Sequence, residues 1–135
     1  MINNLSVGDW VHHDFYEVDM RVKTIYGDTE RIIAESNDGY EVTCHIDHFS
    51  PIPLTPEILE ANGWEKVSEV VYKWRNEKHR VFVWLNGFSH YIDVEEMDKE
   101  FVAKSSRIEV SQFYVHQLQH ALRLAEVDKE IVMPK

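Results

Sequence analysis

The sequence predicts an α+β protein: a small antiparallel β-sheet first, a short central helix, then an antiparallel hairpin sheet with a C-terminal helix packed on it. Three observations predict this order. Apolar and polar residues alternate with period two in several short runs before residue 50. Asn86-Gly87 separates two strongly β-forming runs, the signature of a tight hairpin turn. From Ser111 the apolar spacing changes to that of a helix. A chain of 135 residues, 44% hydrophobic and 28% charged, suits one compact domain or two small subdomains and does not suit disorder.

The elements follow in order. Gly8-Asp9 precedes Trp10-Val11, a first short strand. Val18, Met20, Val22, Thr24 and Tyr26 alternate with Asp19, Arg21, Lys23 and Ile25, as a half-buried strand requires. Ile32 and Ala34 repeat the pattern, and so do Tyr40, Val42, Cys44 and Ile46. Gly27-Asp28 and Asn37-Asp38-Gly39 supply the turns between these runs. Short strands at this spacing predict a curled sheet or an SH3-like barrel. Pro51 and Pro53 then interrupt the pattern. Thr55 is placed to cap a short helix, Pro56 suits its first position, Ile58 and Leu59 face the core, and Gly63 ends it.

Beyond the helix, Val70, Tyr72 and Trp74 alternate, and residues 81–85 and 88–94 flank the Asn-Gly turn. Residues 95–100 are polar and read as a loop, and Arg107 to Val110 as a further short strand. Tyr114, Leu118, Ala121, Leu122 and Ala125 then form an apolar helical stripe with Ser111 as its cap, His116 and Arg123 nearer solvent, and no periodic signal from Glu126 onward. The proline-rich entry to the central helix sets the boundary: residues 1–53 form an acidic β (SH3-like) subdomain, and 54–135 an α+β subdomain with the C-terminal helix, the two packed as one compact unit.

Charge narrows the function. Residues 1–62 hold Arg21, Lys23 and Arg31 against twelve carboxylates, a net −9 of the chain's −10. Such a field repels phosphate backbones, so direct nucleic-acid binding through this half is not expected, and a basic or polar protein partner is. No apolar run is long enough to span a bilayer and the N-terminus lacks a signal-peptide pattern, so no membrane role is expected and the location expected is the cytoplasm. A single cysteine, Cys44, fits a reducing compartment.

Chemistry-bearing motifs are scarce. Walker, dinucleotide-glycine and nucleophile-elbow patterns are missing, which predicts a non-enzyme without a cofactor. Eight histidines invite a metal reading, with His116 and His120 one helical turn apart as candidate ligands. His12 and His13 should face opposite sides of a strand, and His45 and His48 should flank a turn. Cys44 reads as a small core residue beside Val42 and Ile46, and Glu95-Glu96-Met97-Asp98 as a solvated acidic loop. The candidate partner surface is aromatic with an acidic rim, Trp10, Phe15, Tyr16 and Phe49 with Asp14 and Glu17; the alternative is that these aromatics form the core of the first sheet, the favoured reading for Trp10.

Two longer motifs, Pro51-Ile52-Pro53-Leu54-Thr55-Pro56-Glu57-Ile58-Leu59-Glu60-Ala61-Asn62-Gly63-Trp64 and Tyr114-Val115-His116-Gln117-Leu118-Gln119-His120-Ala121-Leu122, resemble a family of uncharacterised small proteins from Bacteroides-type bacteria and their phages. The opening Leu5-Ser6-Val7-Gly8-Asp9 is similar as well, so the resemblance spans essentially the whole chain. It implies a phage or mobile-element accessory protein and carries no ligand or catalytic residue with it. The expected function is therefore a non-enzymatic interaction protein with an acidic partner-binding surface. The alternatives are an acidic nucleic-acid mimic that inhibits a host DNA-binding or defence protein, and a metal-assisted hydrolase using the histidines.

Overall fold

The computed structural model describes residues 4–85, 90–99, 101–109 and 113–133. Among these residues it is an α+β structure of two five-stranded antiparallel sheets and two α-helices, and the chain divides into two compact units. The first unit comprises Met1–Pro53, Tyr114–His116 and Ile131–Lys135; the second comprises Leu54–Phe113 and Gln117–Glu130.

In the first unit, β1 (Trp10–His13), β2 (Val18–Tyr26), β3 (Arg31–Ser36), β4 (Glu41–His45) and β5 (Phe49–Pro51) are ordered β4-β3-β2-β1-β5. A 3-10 turn, Ile46–His48, carries the chain from β4 to β5 on the opposite edge. The sheet does not close into an SH3-like barrel, one of the two forms the strand spacing predicts. The edge strands β4 and β5 are not paired with each other, and β5 is only three residues long and ends at Pro51. Val11, Met20, Val22, Ile32, Ala34 and Phe49 make the core.

The predicted alternation holds in β2 only as far as Val22. A register shift between Val22 and Thr24 adds a residue to β2 and turns the following side chains, so Ile25 and Tyr26 are exposed. Tyr40 lies before β4 and is exposed rather than inward. The C-terminal tail, which carries no periodic signal, contributes to this unit: Ile131 and Met133 are buried, the Trp10 indole N–H donates to the Ile131 carbonyl (2.9 Å) and the Asn37 amide to the Met133 carbonyl (2.8 Å).

In the second unit, α1 (Pro56–Ala61) is capped as predicted. Thr55 Oγ1 accepts the Ile58 amide (3.3 Å), Ile58 and Leu59 are buried, and Gly63 follows at φ 85°. Strands β6 (Glu65–Lys66), β7 (Val71–Arg75), β8 (His79–Leu85), β9 (His90–Asp98) and β10 (Phe101–Glu109) form a meander in chain order. The Asn86-Gly87 turn lies outside the described residues, but its flanks pair as a hairpin with Leu85 opposite His90. Residues 95–98 are strand and not loop, because cross-strand partners take up their charge. Arg80 lies opposite Glu95 and bonds it at 2.6 Å, while Glu96 faces His79 on one side and Lys104 on the other. β10 correspondingly starts at Phe101, well before Arg107.

Helix α2 (Val115–Leu124) begins later than expected; Ser111, read as its cap, lies outside the described residues. Tyr114 instead makes an isolated antiparallel bridge to Pro53. The helix buries Val115, His116, Leu118, Gln119, Ala121 and Leu122, more than one stripe, so His116 is not a solvent-facing residue; Arg123 is. Among the described residues no helix is long and apolar enough to cross a membrane. Leu118 is fully buried, and Leu118→Ala is expected to lower the unfolding free energy by about 2–5 kcal/mol. Urea unfolding reads this directly; a midpoint equal to that of the wild type would mean that the site collapses around the smaller side chain or is not packed.

Candidate functional site

The β1–β2 connection is where the first unit concentrates its chemistry. Four residues, Asp14 to Glu17, reverse the chain, and Glu17 takes the left-handed conformation at φ 51° to complete the turn. The turn is tied down at its base: the Asp14 amide donates to the His48 carbonyl (2.9 Å), and the Ser50 hydroxyl donates to the Asp14 carboxylate (2.5 Å). Its tip carries two adjacent aromatic side chains outward. Phe15 is 80% exposed and Tyr16 53%, and their rings meet edge to face with centroids 5.2 Å apart. Tyr40, 60% exposed, approaches Tyr16 edge-on at 6.4 Å.

Beneath this turn lies an open cleft of about 500 Å³, lined by Phe15, Tyr16, Val42, Cys44, His13 and His48. Strand alternation decides which histidine enters it. His12 turns outward and pairs with Asp19 (3.0 Å), while His13 turns inward and is only 2% exposed. The His13 ring packs edge-on against Phe49 (5.0 Å) and tilted against Tyr16 (4.7 Å), with His48 at 6.1 Å. The other histidine of the 3-10 turn is engaged elsewhere: His45 Nδ1 accepts the Asp47 amide, and its Nε2 faces Glu30 at 3.3 Å.

The hydrogen bonds of His13 identify its tautomer. Nδ1 accepts the Tyr16 backbone N–H (3.1 Å), so the neutral ring carries its proton on Nε2, which lies 3.5 Å from the Cys44 sulfur. Burial lowers the His13 pKa, with His48 and His12 adding to the effect and Asp14 opposing it. Burial also pushes the Cys44 thiol up, against the pull of Arg31. Both shifts disfavour a thiolate–imidazolium pair and favour a neutral imidazole N–H beside a neutral thiol.

Of the residues singled out in the sequence, Phe15, Tyr16, Asp14 and Glu17 share one exposed turn. Trp10 and Phe49, each 3% exposed, are core and cannot present a surface; Trp10 bonds Ile131, and Phe49 supports His13. His116 is buried and stacked on Tyr114, and among the described residues neither it nor His120 belongs to a group of three ligands within reach of one ion. The group that does is His13, Cys44 and His48, whose ligand atoms all lie within 4.8 Å of one another. Sequence reasoning missed it because His13 is 31 residues from Cys44, and because Cys44 at an inward strand position reads as packing. The available signal was the Cys44-to-His48 spacing beside an inward-facing His13. The second unit has a cleft of about 410 Å³ too, but charges of both signs line it, including Glu96, Lys104 and Glu126, and it has no aromatic wall.

Compared with protein-family models, curated proteins and solved structures, the chain matches none.

A lowered His13 pKa has a defined consequence for stability. In the unfolded chain this imidazole titrates near its ordinary 6.5, and in the folded chain only at lower pH. Below the unfolded value the unfolded state therefore holds more protons, so stability falls as pH drops from about 6.5 through the folded pKa. The contribution of this one group has a slope of at most about 1.4 kcal/mol per pH unit and vanishes above neutrality. Urea unfolding of the wild type and His13→Asn between about pH 8 and about pH 5 is expected to show a shallower acid loss in the variant. Parallel curves would mean that His13 takes up its proton equally in both states.

Proposed function

We propose that the chain is a non-enzymatic interaction protein whose first unit binds a basic peptide segment of a protein partner at the Phe15–Tyr16–Tyr40 surface. The observation that carries this reading is the exposure of Phe15 at the tip of an anchored turn, beside two further exposed aromatic rings. Leaving this much aromatic surface in water is unfavourable for a lone chain, and aromatic groups with a polar rim are the usual anchors of protein interfaces.

Charge selects the partner. Residues 1–53 carry ten carboxylates against Arg21, Lys23 and Arg31. Lys23 is paired with Glu35, whereas Glu17 and Glu41, next in sequence to Tyr16 and Tyr40, are exposed. An arginine or lysine side chain lying over the rings gains a cation–π contact and the surrounding negative potential together. The neutral thiol and imidazole below the rings supply depth to the cleft rather than a reaction. This reading is compatible with the accessory role that the family resemblance implies and with a cytoplasmic location.

The test is titration of the protein with an Arg-Gly repeat peptide and, separately, a Glu-Gly repeat peptide, followed by NMR. Only the basic peptide is expected to bind, with affinity falling as salt rises and with shifts centred on residues 14–17 and Tyr40. Phe15→Ala, at an exposed position, should leave thermal stability nearly unchanged and weaken binding about tenfold or more. Equal binding of both peptides, or basic-peptide binding unaffected by Phe15→Ala and Tyr16→Ala, would refute the assignment.

A further inference from the structure

We propose that His13, Cys44 and His48 form a binding site for a zinc-class divalent ion, with the fourth position open to the cleft. This goes beyond the peptide-binding reading and does not rest on it. Three separate segments supply the donors: the end of β1, Cys44 near the end of β4, and the 3-10 turn before β5. Tetrahedral zinc holds sulfur at about 2.3 Å and imidazole nitrogen at about 2.0–2.1 Å, which places the two donors about 3.5 Å apart. The Cys44 sulfur and His13 Nε2 stand at 3.5 Å, and a His48 ring nitrogen completes the group within 4.8 Å. One thiolate with two imidazoles is a borderline-soft set that favours zinc over magnesium or calcium.

The surroundings support a net positive centre. A divalent ion with one thiolate and two neutral imidazoles carries a single positive charge, inside a unit that is strongly acidic. Phe49 and Tyr16 pack the His13 ring from two sides and limit its motion. His48 is exposed and Cys44 half-buried, so the ion enters from the cleft.

Loading has a proton balance and a structural consequence. The Cys44 S–H bond breaks, a sulfur–metal bond forms, and the proton leaves to solvent. His13 must present an unprotonated Nε2, so its proton moves to Nδ1, where the Tyr16 N–H now sits as a donor. Two donors cannot share that position, and the Tyr16 amide is displaced. Metal binding thereby reports on the turn that carries Phe15 and Tyr16.

The experiment is titration of the full chain with Co²⁺, followed by displacement with Zn²⁺. Saturation at one ion per chain is expected, with a thiolate-to-cobalt charge-transfer band and visible absorption of tetrahedral intensity. Cys44→Ser removes the charge-transfer band. His48→Ala, at an exposed position that does not endanger folding, weakens binding about tenfold or more, since outer partners of metal ligands alone are worth 10–100-fold. His45→Ala leaves binding unchanged, and the Tyr16 amide resonance moves on addition of Zn²⁺. No saturable binding, binding insensitive to both Cys44→Ser and His48→Ala, or binding lost only on replacing His116 and His120 would overturn the proposal. The peptide titration is run on metal-free protein, so the two readings fail separately.

Discussion

Burying the His13 imidazole at the end of β1 obliges the surrounding segments to supply it with partners, and the local geometry of the first unit follows from how they do so. A buried polar ring without hydrogen bonds is costly, and a buried charged one more so. The ring is therefore kept neutral: one nitrogen accepts from the Tyr16 backbone and the other donates toward Cys44. The first bond holds the turn close to the strand end, and Glu17 adopts an otherwise unfavourable left-handed backbone to permit it. The second aligns β4 with β1 across two intervening strands, so the sheet must curl to bring them together.

The turn is rigid at its base and exposed at its tip. Backbone and side-chain bonds from Asp14 reach the segment around His48 and Ser50, joining the β1–β2 turn to the β4–β5 connection. Phe15 and Tyr16 consequently project from an anchored base. The cleft beneath shares the same walls. A ligand to His13 and a ligand to the Tyr16 surface would thus meet through one backbone amide, and this gives the two sites a physical route to influence each other.

The second unit solves a different problem, that of fixing the register of long strands. β8 alternates buried His79, Val81 and Val83 with less buried Arg80, Phe82 and Trp84. On the outward face Arg80 pairs with Glu95, and Arg107 grips Asp93 with two bonds while lying over Tyr91. Surface pairs of this kind, half-buried at Arg80, Glu95 and Asp93, contribute modest stability. Opposed across neighbouring strands they set register and discourage edge-to-edge association. Hence an acidic run that resembles a loop in sequence is a strand in the structure.

Local signals were legible wherever a residue's role depends on its near neighbours. The α+β class, the Thr55 cap with Pro56 behind it, the strand pairing either side of Asn86-Gly87, and the opposite orientations of His12 and His13 all follow from short-range sterics and period-two geometry. What depends on distant partners was not legible. The extra residue in β2 and the strand through Glu95 and Glu96 depend on the strands paired with them, and the burial of Ile131 and Met133 on a segment far along the chain. The candidate site divides the same way. The sequence by itself determined that Asp14, Phe15, Tyr16 and Glu17 stand together, being consecutive in a turn, and that the first half is acidic. Only the tertiary structure decided that Phe49 is core, and that His13 meets Cys44 and His48. Ligand clusters form where strands meet across a sheet, and no local pattern of hydrophobicity encodes which strand ends will meet.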